Sequence, residues 1–208
     1  MKKLVFVALL LGVIASSVPS WSITRTVRDN PFFRRTALTG YMGVGIPVGE
    51  FESSRDGDGN HKPGSFQWAI DIEHFFSPSV SLGASINAST WEDKDAGQSL
   101  ETHVNAFNGF FRYVVITKGP IYPFLRFGAG WTRVQFQDFE QRFQSNSTGT
   151  IQAGGGTTVM LSHHVAFTGQ ALYHHGFTEN ALVPDANAIV GFDTKYWSVT
   201  AGLSLFFQ

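Results

Sequence analysis

The stretch VTAGLSLFFQ, residues 199–208, sets the apolar side chains Val199, Ala201, Leu203, Leu205 and Phe207 against the small or polar Thr200, Gly202 and Ser204. Successive side chains of an extended chain point to opposite faces, so this period of two describes a strand with one apolar and one polar face. An aromatic pair followed only by Gln208 is an unusual finish for the last strand of a soluble domain. The medium that its apolar face meets decides the fold.

The same alternation recurs upstream. In FQWAIDIEHFF (66–76), Trp68, Ile70, Ile72 and Phe76 share one face, and Gln67, Asp71 and Glu73 the other. In SVSLGASINAST (79–90), Val80, Leu82, Ala84, Ile86 and Ala88 oppose Ser81, Gly83, Ser85, Asn87 and Ser89. LETHVNAFNGFFRYVV (100–115) begins with His103 and Asn105 on one face and loses its phase near Phe110. IYPFLRFGAGWTRVQF (121–136) groups Leu125, Phe127, Ala129 and Trp131, then puts Val134 and Phe136 on the other parity. A β-bulge is the expected cause of each shift. TALTGYMGVGI, TIQAGGGTTVML, HVAFTGQALYHHGF and the terminal TKYWSVTAGLSLFF bring the number of strands to eight.

The connections alternate in length. SPS, TKGP and SHH are tight, whereas VGEFESSRDGDGNHKPGS, WEDKDAGQS, DFEQRFQSNS and TENALVPDANAIVGFD are long and mostly polar. Strict alternation puts all short turns at one end of an antiparallel sheet, the layout of a transmembrane β-barrel. A soluble barrel of lipocalin type has the same period with its apolar face inside. Three features favour the membrane form, of which the terminal stretch 199–208 is one. The polar faces are built from Ser, Gly, Thr, Asn and Gln rather than Lys and Glu. Aromatics gather towards strand ends (Trp68, Phe76, Trp91, Tyr113, Tyr122, Trp131, Tyr173, Trp197, Phe207), as interfacial girdles do.

Composition agrees: 20 Phe and 22 Gly with 15% charged residues suit a β-architecture. The balance of 15 Lys+Arg against 16 Asp+Glu gives no charge that would draw nucleic acid. The absence of Cys excludes disulfides, a thiolate metal site and a lipid-modified cysteine. Lys2 and Lys3 precede the apolar run LVFVALLLGVIA and the small-residue stretch SSVPSWS, the design of a secretory signal peptide. The run is shorter than the roughly 20 apolar residues of a transmembrane helix. The expected organisation is a signal peptide at 1–22, cleaved after Ser20 or Ser22, then a short exposed periplasmic arm at 23–35 and an all-β, eight-stranded antiparallel up-and-down transmembrane barrel at 36–208.

On these features the chain resembles the small outer-membrane barrels of Gram-negative bacteria, the OmpA, OmpX and opacity-protein type. The local match is the end, where Thr200, Gly202, Leu205 and Phe207 fit the family's assembly signal, polar-x-Gly-x-x-hydrophobic-x-aromatic. Gln208 follows the aromatic on which the family usually ends. The resemblance implies outer-membrane localisation, lipid and lipopolysaccharide as surroundings, the barrel-assembly machinery as a partner, and host or matrix surfaces as candidate partners of the loops. It implies no cofactor.

Few residues suggest chemistry. Eight strands enclose a space that side chains fill, which argues against a general porin. Asp71 and Glu73 on an inward face need partners, and Arg112 and Arg126 are the candidates for an internal salt-bridge plug. Asp56, Asp58 and Asn60 open like a calcium loop, but His61 stands where Gly belongs and Gln67 where Glu belongs. The pairs His163-His164 and His174-His175 place neighbours on opposite faces, so neither forms a chelate alone. Lipid A deacylases are similar barrels with a His-x-Ser-Asn motif. Here His175 and Asn180 occur, Gly176 and Phe177 stand where the serine would be, and Thr178 is the nearby hydroxyl. No catalytic or metal residue is therefore expected. Small inward residues Gly83, Ser85, Gly154 and Gly156 would suit a cavity for a small hydrophobic ligand unless Phe124 and other large side chains fill it. The long loops are acidic, with Glu50, Glu52, Asp56, Asp58, Glu92 and Asp93 among their charges. The expected role is structural or adhesive, through these loops.

Overall fold

The structure, a computed structural model, describes residues 30–49, 65–95, 98–137, 142–144, 147–183 and 188–207. The expected leader, the first part of the arm and the aspartate-rich stretch 56–60 lie outside the described residues. The strands are β1 (Thr36–Pro47), β2 (Ser65–Phe75), β3 (Val80–Asp95), β4 (Gln98–Val114), β5 (Ile121–Gln137), β6 (Arg142–Gln144), β7 (Thr148–Met160), β8 (Val165–Val183) and β9 (Ala188–Phe207). Eight of them are the staves of a closed antiparallel barrel, in which each pairs with its neighbour in the chain and β5 pairs with β7. Short β6 pairs with β5 at Gln135–Gln137. The barrel closes between β9 and β1, from Thr36↔Phe207 to Pro47↔Tyr196. The stretch at 199–207 is thus the closing strand.

The period of two becomes two different surfaces. Leu38, Met42, Ile70, Ile86, Phe127 and Leu203 are exposed on the outer wall, whereas Thr39, Asp71, Asn108, Arg126, Gln152 and Thr168 are buried inside. Met42 at 68% and Trp131 at 63% exposure would be costly in water, and a soluble barrel has the opposite polarity. The barrel is built for lipid.

Two expectations about the strands need correction. β4 and β5 contain no bulge: their mutual register runs unbroken from Glu101↔Gln137 to Val114↔Phe124. Among the described residues a register shift occurs instead in β8, between Gly176 and Glu179. The apparent loss of phase is a change of medium. β4 and β5 are each 17 residues long, more than the roughly 9–11 that cross a bilayer. Beyond the lipid belt the rule inverts to that of a soluble barrel: His103 and Asn105 face outward, while Val104 and Val134 are buried with Trp91 and Tyr196 in an inner apolar cap.

The second correction concerns the girdle. Phe76, Tyr113, Trp131, Trp197 and Phe207 do lie on the outside, but Trp91 and Tyr122 are buried in the interior. Tyr122 belongs to a second apolar cap at the short-turn end, with Phe32, Phe75, Val114, Phe124 and Phe206. Each end of the lumen is closed by hydrophobic side chains that the alternation alone does not assign to a face.

Candidate functional site

The interior is the most chemically organised part of the molecule. β2 alternates buried and exposed along its whole length, which turns Asp71 and Glu73 inward, two residues apart. Across the lumen, the β4–β5 register sets Arg112 directly opposite Arg126, both buried. Like charges facing each other on adjacent strands repel. The carboxylates offset this. Arg126 donates through Nη1 to Asp71 Oδ2, with Nη2 3.4 Å from Oδ1, and Arg112 donates through Nη1 to Glu73 Oε1. Ser81 donates to Glu73 Oε2 at 2.7 Å, and Arg126 also reaches Gln170 Oε1 at 3.3 Å.

Each guanidinium also rests on a phenyl ring. Arg112 Cζ lies 3.6 Å from the Phe124 centroid and Arg126 Cζ 3.7 Å from that of Phe110. The register dictates this crossing. Phe110 precedes Arg112 by two positions and Phe124 precedes Arg126 by two, so each ring is the diagonal neighbour of the other strand's arginine. The cationic face contact adds to the ion pair in a desolvated site.

The rings need room, and glycines supply it. Gly83 stands directly across from Phe110, and a Cβ there would come within 2.5 Å of Phe110 Cζ. Gly156 stands across from Phe124, where a Cβ would come within 2.7 Å of its Cζ. Gly83 and Gly156 are therefore docks for aromatic rings, and Phe124 is one of the large side chains that fill the space beside them. The interior holds a polar void of about 10 Å³, room for a single water molecule, lined by Gln67, Asn87, Arg126, Gln152, His174 and Ser198 among others.

His174 and His175 point apart, as adjacent strand residues must. His174 is buried, stacked on Tyr196 at 4.4 Å with its Nε2 2.9 Å from Ser198 Oγ. His175 turns outward, edge-on to Phe177. The side chains of Thr178 and Asn180 lie outside the described residues. Of the terminal signal, Thr200 is buried and faces the lumen with Gly202, while Leu205 and Phe207 face out. Phe206 is buried in the short-turn cap.

The end of the arm was expected to be exposed; Pro31 and Phe32 are buried, while Arg34 is exposed. Asn30 donates from Nδ2 to Thr117 O at 2.8 Å, on the turn between β4 and β5, and the chain enters β1 on the far side of the barrel. Between these points Phe32 drops into the mouth, stacked on Phe75 at 4.9 Å and edge-on to Tyr122 at 4.7 Å. Residues 30–35 thus cross the opening. The signal in the sequence is the turn-forming Asn30-Pro31 pair set directly before Phe32.

The barrel is similar in fold to solved structures of bacterial outer-membrane proteins. Neisserial surface protein A matches with a TM-score of 0.62 at 9% identity, over 83% of this chain and 97% of that one. Ail, the attachment invasion locus protein of Yersinia pestis, matches with a TM-score of 0.54 at 11% identity, over 84% and 99%. OprG of Pseudomonas aeruginosa matches with a TM-score of 0.53 at 12% identity, over 86% and 100%. No curated protein matches the sequence. The closed eight-strand barrel, its apolar exterior and its match over residues 6–205 to the outer membrane protein beta-barrel domain agree, and the chain belongs to that family.

Proposed function

We propose that this protein is a non-enzymatic barrel of the outer membrane, exported by a cleaved signal peptide, that acts through its long loops in envelope structure or surface attachment and not as a general porin. The observation that carries this reading is the packed lumen, with two ion pairs at its centre and an apolar cap at each end. A barrel that passes nothing through its middle presents only its rims and its wall. The long-loop rim carries many of the chain's charges, as expected of binding loops on a rigid scaffold.

Attachment agrees with the fold of Ail, which has been seen with the heparin analogue sucrose octasulfate. The loops here favour different ligands. They carry Glu50, Glu52, Asp56, Asp58, Asp138 and Asp185 against few bases. Acidic loops suit cationic surfaces or the divalent cations that bridge lipopolysaccharide. The test is binding of whole cells to matrix and host surfaces, with the native chain and with a chain whose long loops are cut to tight turns. The shortened chain is expected to assemble in the membrane and to lose binding. Equal binding by both would overturn the reading.

A further inference from the structure

We propose that the short-turn rim of the barrel, which faces the periplasm in this family, is a docking surface for the headgroups of anionic phospholipids in the inner leaflet. The charge distribution is the first support. Among the described residues of this end, 30–36, 74–80, 115–121 and 161–164, there is no Asp or Glu. Arg34, Arg35 and Lys118 are there, joined by His74, His163 and His164. The acids among the described residues lie elsewhere, in the lumen and towards the long-loop end.

The second support is how the fold gathers these groups. Thr36 pairs with both His74 and Phe207, which brings the ends of β1, β2 and β9 together. Arg35 donates through Nη1 to His163 O, tying the arm to the turn before β8. Asn30 holds the other end of the arm to the turn that carries Lys118. Arg34, at φ 54, is exposed, with its guanidinium 5.2 Å from the Phe33 ring. The arm therefore lays its arginines across a mouth that it also plugs.

The third support separates lipid from peptidoglycan. Phe76, Val115, Ile116 and Leu161 are all more than half exposed at this same rim. Apolar side chains flanking basic ones belong at the boundary of acyl chains and headgroups, where the aromatics and aliphatics enter lipid and the cations reach phosphate. A peptidoglycan strand would leave them in water. The proposal depends on the membrane orientation of the barrel and not on what the loops bind.

The test uses the full chain refolded into nanodiscs of phosphatidylcholine doped with phosphatidylglycerol, with native mass spectrometry of the lipids that stay bound. Phosphatidylglycerol is expected to be retained in preference. Arg34→Asn, which suits the left-handed backbone, and Lys118→Gln are each expected to reduce that preference about fivefold. Heat-modified gel mobility shows whether each variant is folded, and added salt should reduce the preference of the native chain without any substitution. Equal retention of the two lipids by the native chain would overturn the proposal. So would an unchanged preference in the folded double variant, or loss of binding to purified peptidoglycan in that variant with lipid preference intact.

Discussion

Asp71 is buried against Arg126 inside the barrel. Removing one member of such a pair leaves the other unpaired in a desolvated interior, which costs about 3–5 kcal/mol, whereas removing both is far less damaging. Asp71→Leu is therefore expected to lower the stability of the folded barrel by about 3–5 kcal/mol, and Asp71→Leu with Arg126→Leu to recover most of that loss. Urea unfolding followed by tryptophan fluorescence, with heat-modified mobility, measures both. Unchanged stability in Asp71→Leu would remove the salt-bridge plug from the account. At this scale the sequence was partly legible. The inward face of Asp71 and Glu73 follows from period two. Arg112 was harder, because Phe110 and Phe111 are adjacent and erase the hydrophobic contrast that marks the faces. The rings under the arginines and the glycines opposite them were not legible, because those partners meet through cross-strand register and not through spacing along one strand.

The arm and the last strand are the elements that close the short-turn end. Phe32 contacts Phe75, Tyr122 and Phe206, which come from three separate staves. Phe32→Ala is expected to cost about 3–5 kcal/mol, the range for truncating a buried phenyl ring, as read by thermal unfolding. A truly exposed arm would show no change. The aromatic pair at the terminus divides its work. Phe206 faces the cap and Phe207 faces lipid. Phe206→Ala is expected to destabilise the folded barrel as Phe32→Ala does. Phe207→Ala is expected to leave stability nearly unchanged and to lower the amount of folded protein in the outer membrane of cells, as loss of an assembly signal would. Semi-native gels of membranes beside urea unfolding of the purified variants separate the two effects. The strands themselves were legible as amphipathic segments. Their caps were not, because an apolar residue facing a capped lumen and one facing lipid look the same in a sequence.

The whole molecule is a closed cylinder, and among the described residues its short-turn rim carries bases and no acid. The order of strands, their closure and the membrane setting were readable from alternation, turn length and the terminal strand. The contents of the lumen decide what the cylinder can do. Hydroxyls are linked across its wall, from Thr39 to Ser204 to Thr168 at 2.9 Å each and on to Thr158 at 3.2 Å, which holds that side of the interior as a bonded network. With ion pairs at the centre and an apolar cap at each end, the described interior is packed as a core is. Planar-bilayer recording of the purified full chain tests this most directly. A silent membrane is expected for the native protein, without discrete conductance steps, at neutral pH and physiological salt. Stable single-channel openings from the native barrel would contradict it.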